Sequence, residues 1–166
     1  MRSYFSTQFH IYYRPLCLYA LRLLGNTDEA EDVVQDTFAA LWEKRDTLHQ
    51  ISSVKSYLYT AVRNNCLMKL RTKKDFESVE KFQLVDENTL EEEAGRAELE
   101  ARLWKMIDDL PKRQREVFLM AKRDGMAYKE IAEKTGLSVK TVENHVTRAL
   151  KSLRHKDPNT FLFFFA

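Results

Sequence analysis

Residues that interrupt helices are scarce in this sequence, and this scarcity is its strongest structural constraint. Only four glycines and three prolines occur among its 166 residues. The long stretches between them are rich in Ala, Leu, Glu, Lys and Arg, which favour helices. Apolar residues recur at helical spacing within these stretches. The sequence therefore predicts an all-α protein.

Apolar spacing and helix-ending residues set the expected helix boundaries. The predicted helices cover about 5–24, 28–43, 54–72, 96–109, a stretch from Pro111 to before Gly125, 127–134 and 139–154. Asn26 and Ser138 are suitable N-caps for the second and the last of them. Gly25 follows the first helix, where glycine is a common stop. Pro15 lies inside that helix and is expected to kink it or to shift its start.

Charge is distributed unevenly along the chain. Residues 1–74 contain 11 Lys and Arg against 7 Asp and Glu, residues 75–95 contain 1 against 8, and residues 96–166 contain 15 against 10. The acidic segment shows no sustained helical apolar stripe, and its carboxylates repel one another. We therefore expect a basic lobe at 1–74, an extended acidic linker at 75–95, a second basic lobe at 96–156 and an apolar tail at 157–166.

The second lobe contains a helix-turn-helix pattern. The turn "TGLS" lies between helices 127–134 and 139–154, and Gly136 supplies the small residue that a tight turn needs. Apolar residues of the second helix fall within one arc, which is the expected buried face: Val139, Val142, Val146, Leu150 and Leu153. The opposite arc carries polar and basic residues: Lys140, Thr141, Asn144, Arg148 and Lys151.

This polar arc has the chemistry of a DNA-reading surface. Lysine and arginine neutralise phosphates, asparagine suits adenine, arginine suits guanine and a threonine methyl group can contact thymine. The alternative is the solvated polar face of an ordinary helical hairpin. The turn, the apolar arc and the polar arc together favour DNA binding.

The first lobe contains an acidic stripe and a basic helix. In the predicted helix 28–43, one face collects Glu29, Asp32, Asp36, Ala39 and Glu43, with Gln35 on its flank. Carboxylates around a small residue suit close packing along a partner that bears arginines. A charged stripe is also a common solvated face. The predicted helix 54–72 has apolar residues on one side and cations on the other.

Two segments resemble a known family. The first, "LSVKTVENHVTRALKSLR" at 137–154, is similar to the recognition helix of region 4 of sigma-70-type factors and also to that of LuxR-type response regulators. The second, "RLLGNTDEAEDVVQDTFAALWE" at 22–43, resembles region 2 of extracytoplasmic-function (ECF) sigma factors. A LuxR-type regulator would carry a receiver or ligand-binding domain with strands instead. The resemblance thus implies an ECF sigma factor, with a LuxR-type regulator that is not a polymerase subunit as the alternative.

The resemblance implies partners and site residues. The partners are core RNA polymerase, through its β′ clamp helices and β flap, and promoter DNA. Asp32, Gln35 and Asp36 match the positions that bind the β′ subunit. The polar arc of the last predicted helix would read the minus-35 element. The residues implied for the minus-10 element are Lys55, Arg63, Asn64, Lys69 and Arg71.

Within the minus-10 set, the residues differ in their implied roles. Asn64 falls where the family places an asparagine in a pocket for an extruded base, and the preceding loop 45–53 is where family members vary base specificity. Tyr57 and Tyr59 are candidate stacking surfaces, although an aromatic residue at helical spacing is more often part of a core. The family's linker passes near the polymerase active site and the RNA exit path, with a plain flexible tether as the alternative here.

The resemblance also implies an anti-sigma factor and a cytoplasmic location. The apolar tail "FLFFFA" is far shorter than the roughly 20 residues that span a bilayer, so no membrane insertion is expected. It could be a frayed end, a patch packed on the second lobe or a contact for a regulator. Met1 to Phe9 lacks the pattern of a signal peptide.

The sequence offers little support for an enzyme. His10, His49, His145 and His155 have no metal-ligand spacing, and no phosphate-binding loop or nucleophile motif is present. We therefore predict no catalytic residue, no metal and no cofactor. Cys17 and Cys66 match no CxxC spacing, and reduced, buried thiols are expected at both positions.

Overall fold

The computed structural model describes residues 2–73 and 87–165, and every regular element in these ranges is a helix. The elements are α1 (Arg2–Leu24), α2 (Thr27–Glu43), a 3₁₀-helix (Arg45–Gln50), α3 (Val54–Thr72), α4 (Glu87–Asp108), α5 (Lys112–Lys122), α6 (Tyr128–Thr135), α7 (Val139–Lys156) and α8 (Pro158–Phe165). The predicted all-α class is confirmed. The chain divides into two compact units, Met1–Ala101 and Arg102–Ala166, and the division falls within α4.

The first unit has a core formed by α1, α2 and α3. The core residues from these helices include Leu16, Tyr19, Ala20, Val34, Phe38, Leu41, Leu58, Val62 and Cys66. Asn26 caps α2 as predicted, because its side-chain oxygen accepts a hydrogen bond from the Glu29 amide at 3.0 Å. Helix α1 runs through the buried Pro15 and begins at Arg2, earlier than predicted.

Helix α4 differs from the prediction. The expected linker at 75–95 is helical over 87–95, and its remaining residues lie outside the described ranges. Gly95, expected as the end of the linker, lies inside this helix. The cause is an apolar stripe of Leu90, Ala94 and Ala97, which packs against the core of the first unit. The charge pattern places the end of the linker at residue 95, in the middle of this stripe. Neither the predicted linker nor the predicted helix after it therefore contains the whole apolar pattern.

The second unit contains the predicted helix-turn-helix. Gly136 adopts a left-handed conformation, with φ +72°, at the end of α6. Ser138 caps α7 and accepts a hydrogen bond from the Thr141 amide at 3.1 Å. Most of the predicted apolar arc packs inward, but Val139 is 47% exposed. Val139 is the first residue of α7, so it sits at the edge of the contact with α6.

The apolar tail forms α8. Asp157 caps this helix, since one carboxylate oxygen accepts from the Thr160 amide at 3.1 Å and the other accepts from the Thr160 hydroxyl at 2.6 Å. Phe161, Phe164 and Phe165 pack against the core of the second unit. The structure therefore agrees with the packed patch among the three alternatives. Within the described ranges, no helix combines the length and apolar character required to cross a bilayer.

Candidate nucleic-acid interface

The outward face of α7 carries the predicted DNA-reading residues. Lys140, Asn144, Arg148 and Lys151 are exposed, and Thr141 is half-buried. Lys140 forms an ion pair with Glu143 at 3.3 Å, and the Thr141 hydroxyl lies 2.8 Å from that of Ser138. In the described part of the chain, the other three residues make no intramolecular hydrogen bond or ion pair. Their polar groups are therefore available to phosphates and base edges.

Arg113 stabilises the turn that precedes α7, and its role was not predicted from the sequence. Its guanidinium donates a 2.8 Å hydrogen bond to the carbonyl of Thr135, the last residue of α6. The cation thus lies at a helix C-terminus, where the backbone carries partial negative charge. The position in "LPKRQRE" gives no local signal for this contact, because Thr135 is brought close only by the fold.

Replacing Arg113 with alanine is expected to loosen this turn. The lost hydrogen bond should cost about 1 kcal/mol, because it is one exposed bond from a charged donor. Amide hydrogen exchange at Thr135 and Gly136 should become several times faster, measured by mass spectrometry. Lys112→Ala, which removes an adjacent exposed cation, is the matched control. Equal exchange in both variants would contradict a positioning role for Arg113.

Helix α2 presents its acidic stripe to solvent. Asp32, Gln35 and Asp36 are exposed, as is the small residue Ala39 between the carboxylates and Glu43. Among the described residues, the Gln35 side chain makes a single hydrogen bond, a long one of 3.4 Å to the Tyr13 hydroxyl. Neither aspartate forms an ion pair within the described ranges. The stripe is thus a free anionic surface, suited to a basic partner.

Glu29 lies on the same predicted face of α2, but its carboxylate is not free. Its carboxylate forms an ion pair with Lys73, just after α3. The hydrogen bond from Lys73 lowers the pKa of the Glu29 carboxyl. Glu29 therefore connects the start of α2 to the end of α3 rather than serving the exposed surface.

A buried hydrogen bond also connects α2 to α3. The Asn65 side-chain amide donates to the Thr37 hydroxyl at 3.2 Å, and that hydroxyl donates to the Val33 carbonyl at 2.8 Å. Thr37 is 2% exposed in an otherwise apolar contact. Such a bond favours one register, because a slipped arrangement leaves its polar groups unpaired. It holds the acidic face of α2 in fixed relation to α3.

Asn64 lines a cavity beside the N-terminal half of α3. The cavity has a volume of about 470 Å³ and is lined by Gln50, Ile51, Ser52, Ser53, Ser56, Tyr57, Thr60, Ala61 and Asn64. The structure thus brings Asn64 together with the end of the predicted loop 45–53. It is a broad, shallow depression that is open to solvent. Hydroxyl and amide groups converge there with an aromatic ring, a combination that can bind an unstacked base.

The sequence contained a signal for part of this cavity. Ser56, Thr60 and Asn64 are spaced four residues apart, so they form a polar stripe along α3. This stripe is not predicted from the sequence, because the cations of α3 are more numerous and dominate its polar pattern. The wall at Gln50 and Ile51 lies at the end of the 3₁₀-helix and depends on the tertiary fold.

The cations predicted for the minus-10 element differ in their exposure. Arg71 is exposed, whereas Arg63 and Lys69 are half-buried. Lys55 forms a 2.9 Å ion pair with Glu98 of α4. Asn64 is therefore the member of the predicted set that lines the cavity, while Lys55 already has a partner.

The two candidate stacking residues have different environments. Tyr59 is 1% exposed and belongs to the core, so the prediction of a stacking surface is wrong there. Tyr57 is half-buried and lines the cavity. The Lys44 ammonium lies 5.8 Å from the centre of the Tyr57 ring. Tyr57 therefore remains a candidate.

The cysteines have the environments of unreactive thiols. Burial raises the pKa of Cys17 to about 11 and that of Cys66 to about 12. Both thiols are therefore protonated at neutral pH. Within the described ranges, no group of three or more His, Cys, Asp and Glu residues is arranged to hold a metal ion.

Comparison with known proteins identifies the family of both units. A family model described as Sigma-70 region 2 matches residues 9–76, and one described as Sigma-70, region 4 matches residues 100–153. The ECF RNA polymerase sigma factor EcfG of Rhodopseudomonas palustris is 31% identical over 137 residues, which cover 81% of this chain and 75% of that protein. The ferric citrate uptake sigma factor FecI of Escherichia coli is 31% identical over 135 residues, covering 78% of this chain and 77% of that protein.

A similar solved structure is the co-crystal structure of the sigma factor RpoE in complex with the anti-sigma factor NepR from Bartonella quintana. Its sequence identity to this chain is 23%, its TM-score is 0.38, and the match covers 91% of this chain and 94% of that chain.

Proposed function

Because the chain belongs to the ECF group of the sigma-70 family, we infer that it binds core RNA polymerase and directs the enzyme to initiate transcription at specific promoters. The matches to both regions support this function over that of a LuxR-type regulator, which would share only the reading helix. The observation that carries the inference is the presence of three exposed surfaces with different chemistry: the face of α7, the acidic stripe of α2 and the cavity at Asn64.

The outward face of α7 would read the minus-35 element as duplex DNA. Lys140 and Lys151 would contact phosphates, since compact ammonium groups neutralise backbone charge without reading bases. Asn144 and Arg148 would contact base edges in the major groove. Their exposure and their lack of partners within the described ranges support these roles.

The acidic stripe of α2 would bind the β′ clamp helices of the polymerase. Asp32 and Asp36 would pair with basic side chains there, and Gln35 would add a neutral hydrogen bond. The small side chain of Ala39 would permit close approach of the partner helix. The second unit would meet the β flap.

The cavity at Asn64 would hold a base extruded from the minus-10 element. Binding an unstacked base lowers the free energy of the opened duplex relative to the closed one, and so favours strand separation. The cations Lys55, Arg63, Lys69 and Arg71 would follow the backbone of the displaced strand. In this mechanism the protein itself performs no catalytic step and needs no cofactor.

Family membership also implies a place of action and a regulator. The protein would act in the cytoplasm with RNA polymerase, and an anti-sigma factor would hold it inactive until a signal releases it. Run-off transcription with core enzyme on a genomic promoter library tests the function directly. Promoter-specific transcripts are expected only when the protein is added, and their absence would refute the proposal.

Asn64→Ala is expected to impair promoter opening more than promoter binding. Loss of hydrogen bonds to one base should reduce open-complex formation about tenfold, with less than about a twofold change in closed-complex affinity. Permanganate reactivity of melted thymines measures the first quantity, and gel shift at low temperature measures the second. Met68→Ala, an exposed position one turn further along α3, is the control. Unchanged permanganate reactivity in the Asn64 variant would remove its assigned role.

A further inference from the structure

The N-terminal part of α4, residues 87–101, packs beside α1 and α3; we call this segment the clasp. Ala94 and Ala97 of the clasp are 2% and 1% exposed and belong to the core of the first unit, with Leu90 packed beside them. The segment is acidic: it contains Glu91, Glu92, Glu93, Glu98 and Glu100, in addition to Glu87. The clasp therefore places an anionic helix beside α3, whose nucleic-acid surface is expected to be basic.

Two ion pairs connect the clasp to α1 and α3. Lys55 of α3 lies 2.9 Å from Glu98, and Arg22 of α1 lies 3.0 Å from Glu100. All four side chains are partly exposed, so each pair contributes little and is weakened by salt. Lys55 is also a predicted contact for the minus-10 strand. While the clasp is packed beside α3, which we call the closed arrangement, the Lys55 ammonium is already paired with Glu98.

The contact beneath the clasp is imperfect. The hydroxyl groups of Tyr19 and Tyr59 are buried close to carboxylates of the clasp. Burial raises the pKa of both phenols, and carboxylates of the clasp, Glu93 for Tyr19 and Glu98 for Tyr59, raise it further. Burying polar hydroxyls beside carboxylates stabilises this contact less than a purely apolar fit would.

A cavity adds to this imperfect fit. It has a volume of about 330 Å³ and is lined by Ser53, Lys55, Ser56, Tyr59, Thr60, Leu90, Glu91 and Ala94. Three of these residues, Ser53, Ser56 and Thr60, also line the candidate base cavity. The clasp thus forms a wall directly beside the surface proposed to receive the melted strand.

We propose that the clasp is an intramolecular competitor for nucleic acid, which occupies the Lys55 side of α3 in the free protein and is displaced when the minus-10 strand binds. The proposal rests on the proposed function of α3. Carboxylates of the clasp take the place of DNA phosphates at Lys55, and release of the clasp frees this cation beside the base cavity. The ion pairs are partly exposed and weak, and polar groups are buried in the contact, so strand binding can shift the population toward the open state.

The test compares two doubly substituted full-length proteins. Glu98→Gln/Glu100→Gln removes both ion pairs, whereas Glu31→Gln/Glu92→Gln removes the same charge from exposed side chains that line neither the clasp cavity nor the candidate base cavity. Binding of fluorescein-labelled oligothymidine is measured by anisotropy at low and moderate salt. The first variant is expected to bind about three- to tenfold more tightly than the unsubstituted protein, from the loss of two weak ion pairs, and the control variant less than about twofold. Hydrogen exchange across 87–101 should be faster in the first variant, and faster in the unsubstituted protein once the oligonucleotide is bound.

The outcomes separate this proposal from the proposed function. Equal gains in both variants would mean that overall charge, not the clasp, governs binding, and would overturn the proposal. The proposal would also be overturned if the first variant bound no more tightly than the unsubstituted protein, or if none of the proteins bound detectably. Both outcomes count only when the unsubstituted protein supports run-off transcription. Failure of run-off transcription by the unsubstituted protein would instead refute the proposed function.

Discussion

Replacing Asp32 and Asp36 together with lysine is expected to reduce affinity for core RNA polymerase about 100-fold or more. Each aspartate would lose a charge-assisted contact, typically worth about 1.5–3 kcal/mol, and each new ammonium would face a basic partner surface. The fold should be retained, because both side chains are exposed and lack intramolecular partners in the described part of the chain. Co-purification and fluorescence titration with core enzyme measure the loss, and circular dichroism monitors the fold.

The control for this prediction reverses two charges elsewhere in the same unit. Glu31 and Asp46 are exposed but lie outside the acidic stripe, so Glu31→Lys/Asp46→Lys makes the same change in net charge. It should retain at least about a third of the affinity, because long-range charge effects are screened at physiological salt. Normal binding by the Asp32→Lys/Asp36→Lys protein would exclude the stripe as the docking surface.

The helices that the sequence predicted well are those that contain a full apolar repeat and have their own N-cap. For α2, α3 and α7, apolar residues repeat through the whole element and a polar N-cap stands directly before it: Asn26, Ser53 and Ser138. Exposure of the α2 and α7 polar faces follows from the same periodicity, since burial of one face places the opposite face in solvent. This is why the polymerase-binding and minus-35 candidates are exposed, apart from the half-buried Thr141.

The first part of α4 and the whole of α8 are not predicted by the sequence, because their patterns are locally weak. In α4, the stripe of Leu90, Ala94 and Ala97 contains two alanines, which carry a small hydrophobic signal and lie on either side of Gly95. In α8, the run "FLFFF" is apolar on every side, so no periodic face distinguishes a helix from a strand or a frayed end. Its cap was readable, because Asp157 precedes Thr160 by three residues.

The minus-10 surface could be predicted only in part. Asn64 was identified by its position in a family pattern, but the wall opposite it comes from a different element. The pairing of Lys55 with Glu98 joins residues far apart in sequence, and no local rule foresees it. Conversely, Tyr59 was assigned a stacking role although its spacing equally suited a core position, which is where the fold places it.

Replacing Arg148 with alanine is expected to relax promoter selection at one or two base pairs of the upstream element. A guanidinium that contacts guanine through two hydrogen bonds contributes roughly 1–3 kcal/mol of discrimination, which is about one to two orders of magnitude in affinity. Arg148 suits this contact because it is exposed in the middle of α7 and makes no ion pair within the described ranges. Run-off transcription by the reconstituted holoenzyme, on promoters randomised in the upstream element, measures the change at each position.

Arg154→Ala is the matched control for Arg148→Ala, because it removes the same charge from the end of the same helix and from a different face. It should weaken transcription evenly over all upstream sequences, if it weakens it at all, since a phosphate contact carries no base preference. The Arg148 variant should instead lose activity on its preferred sequences and retain it on the others. An even loss in both variants would reduce Arg148 to a phosphate contact, and base reading by α7 would then depend on Asn144 and Thr141. A selective loss confined to Arg148 would identify the base pairs that face the centre of this helix.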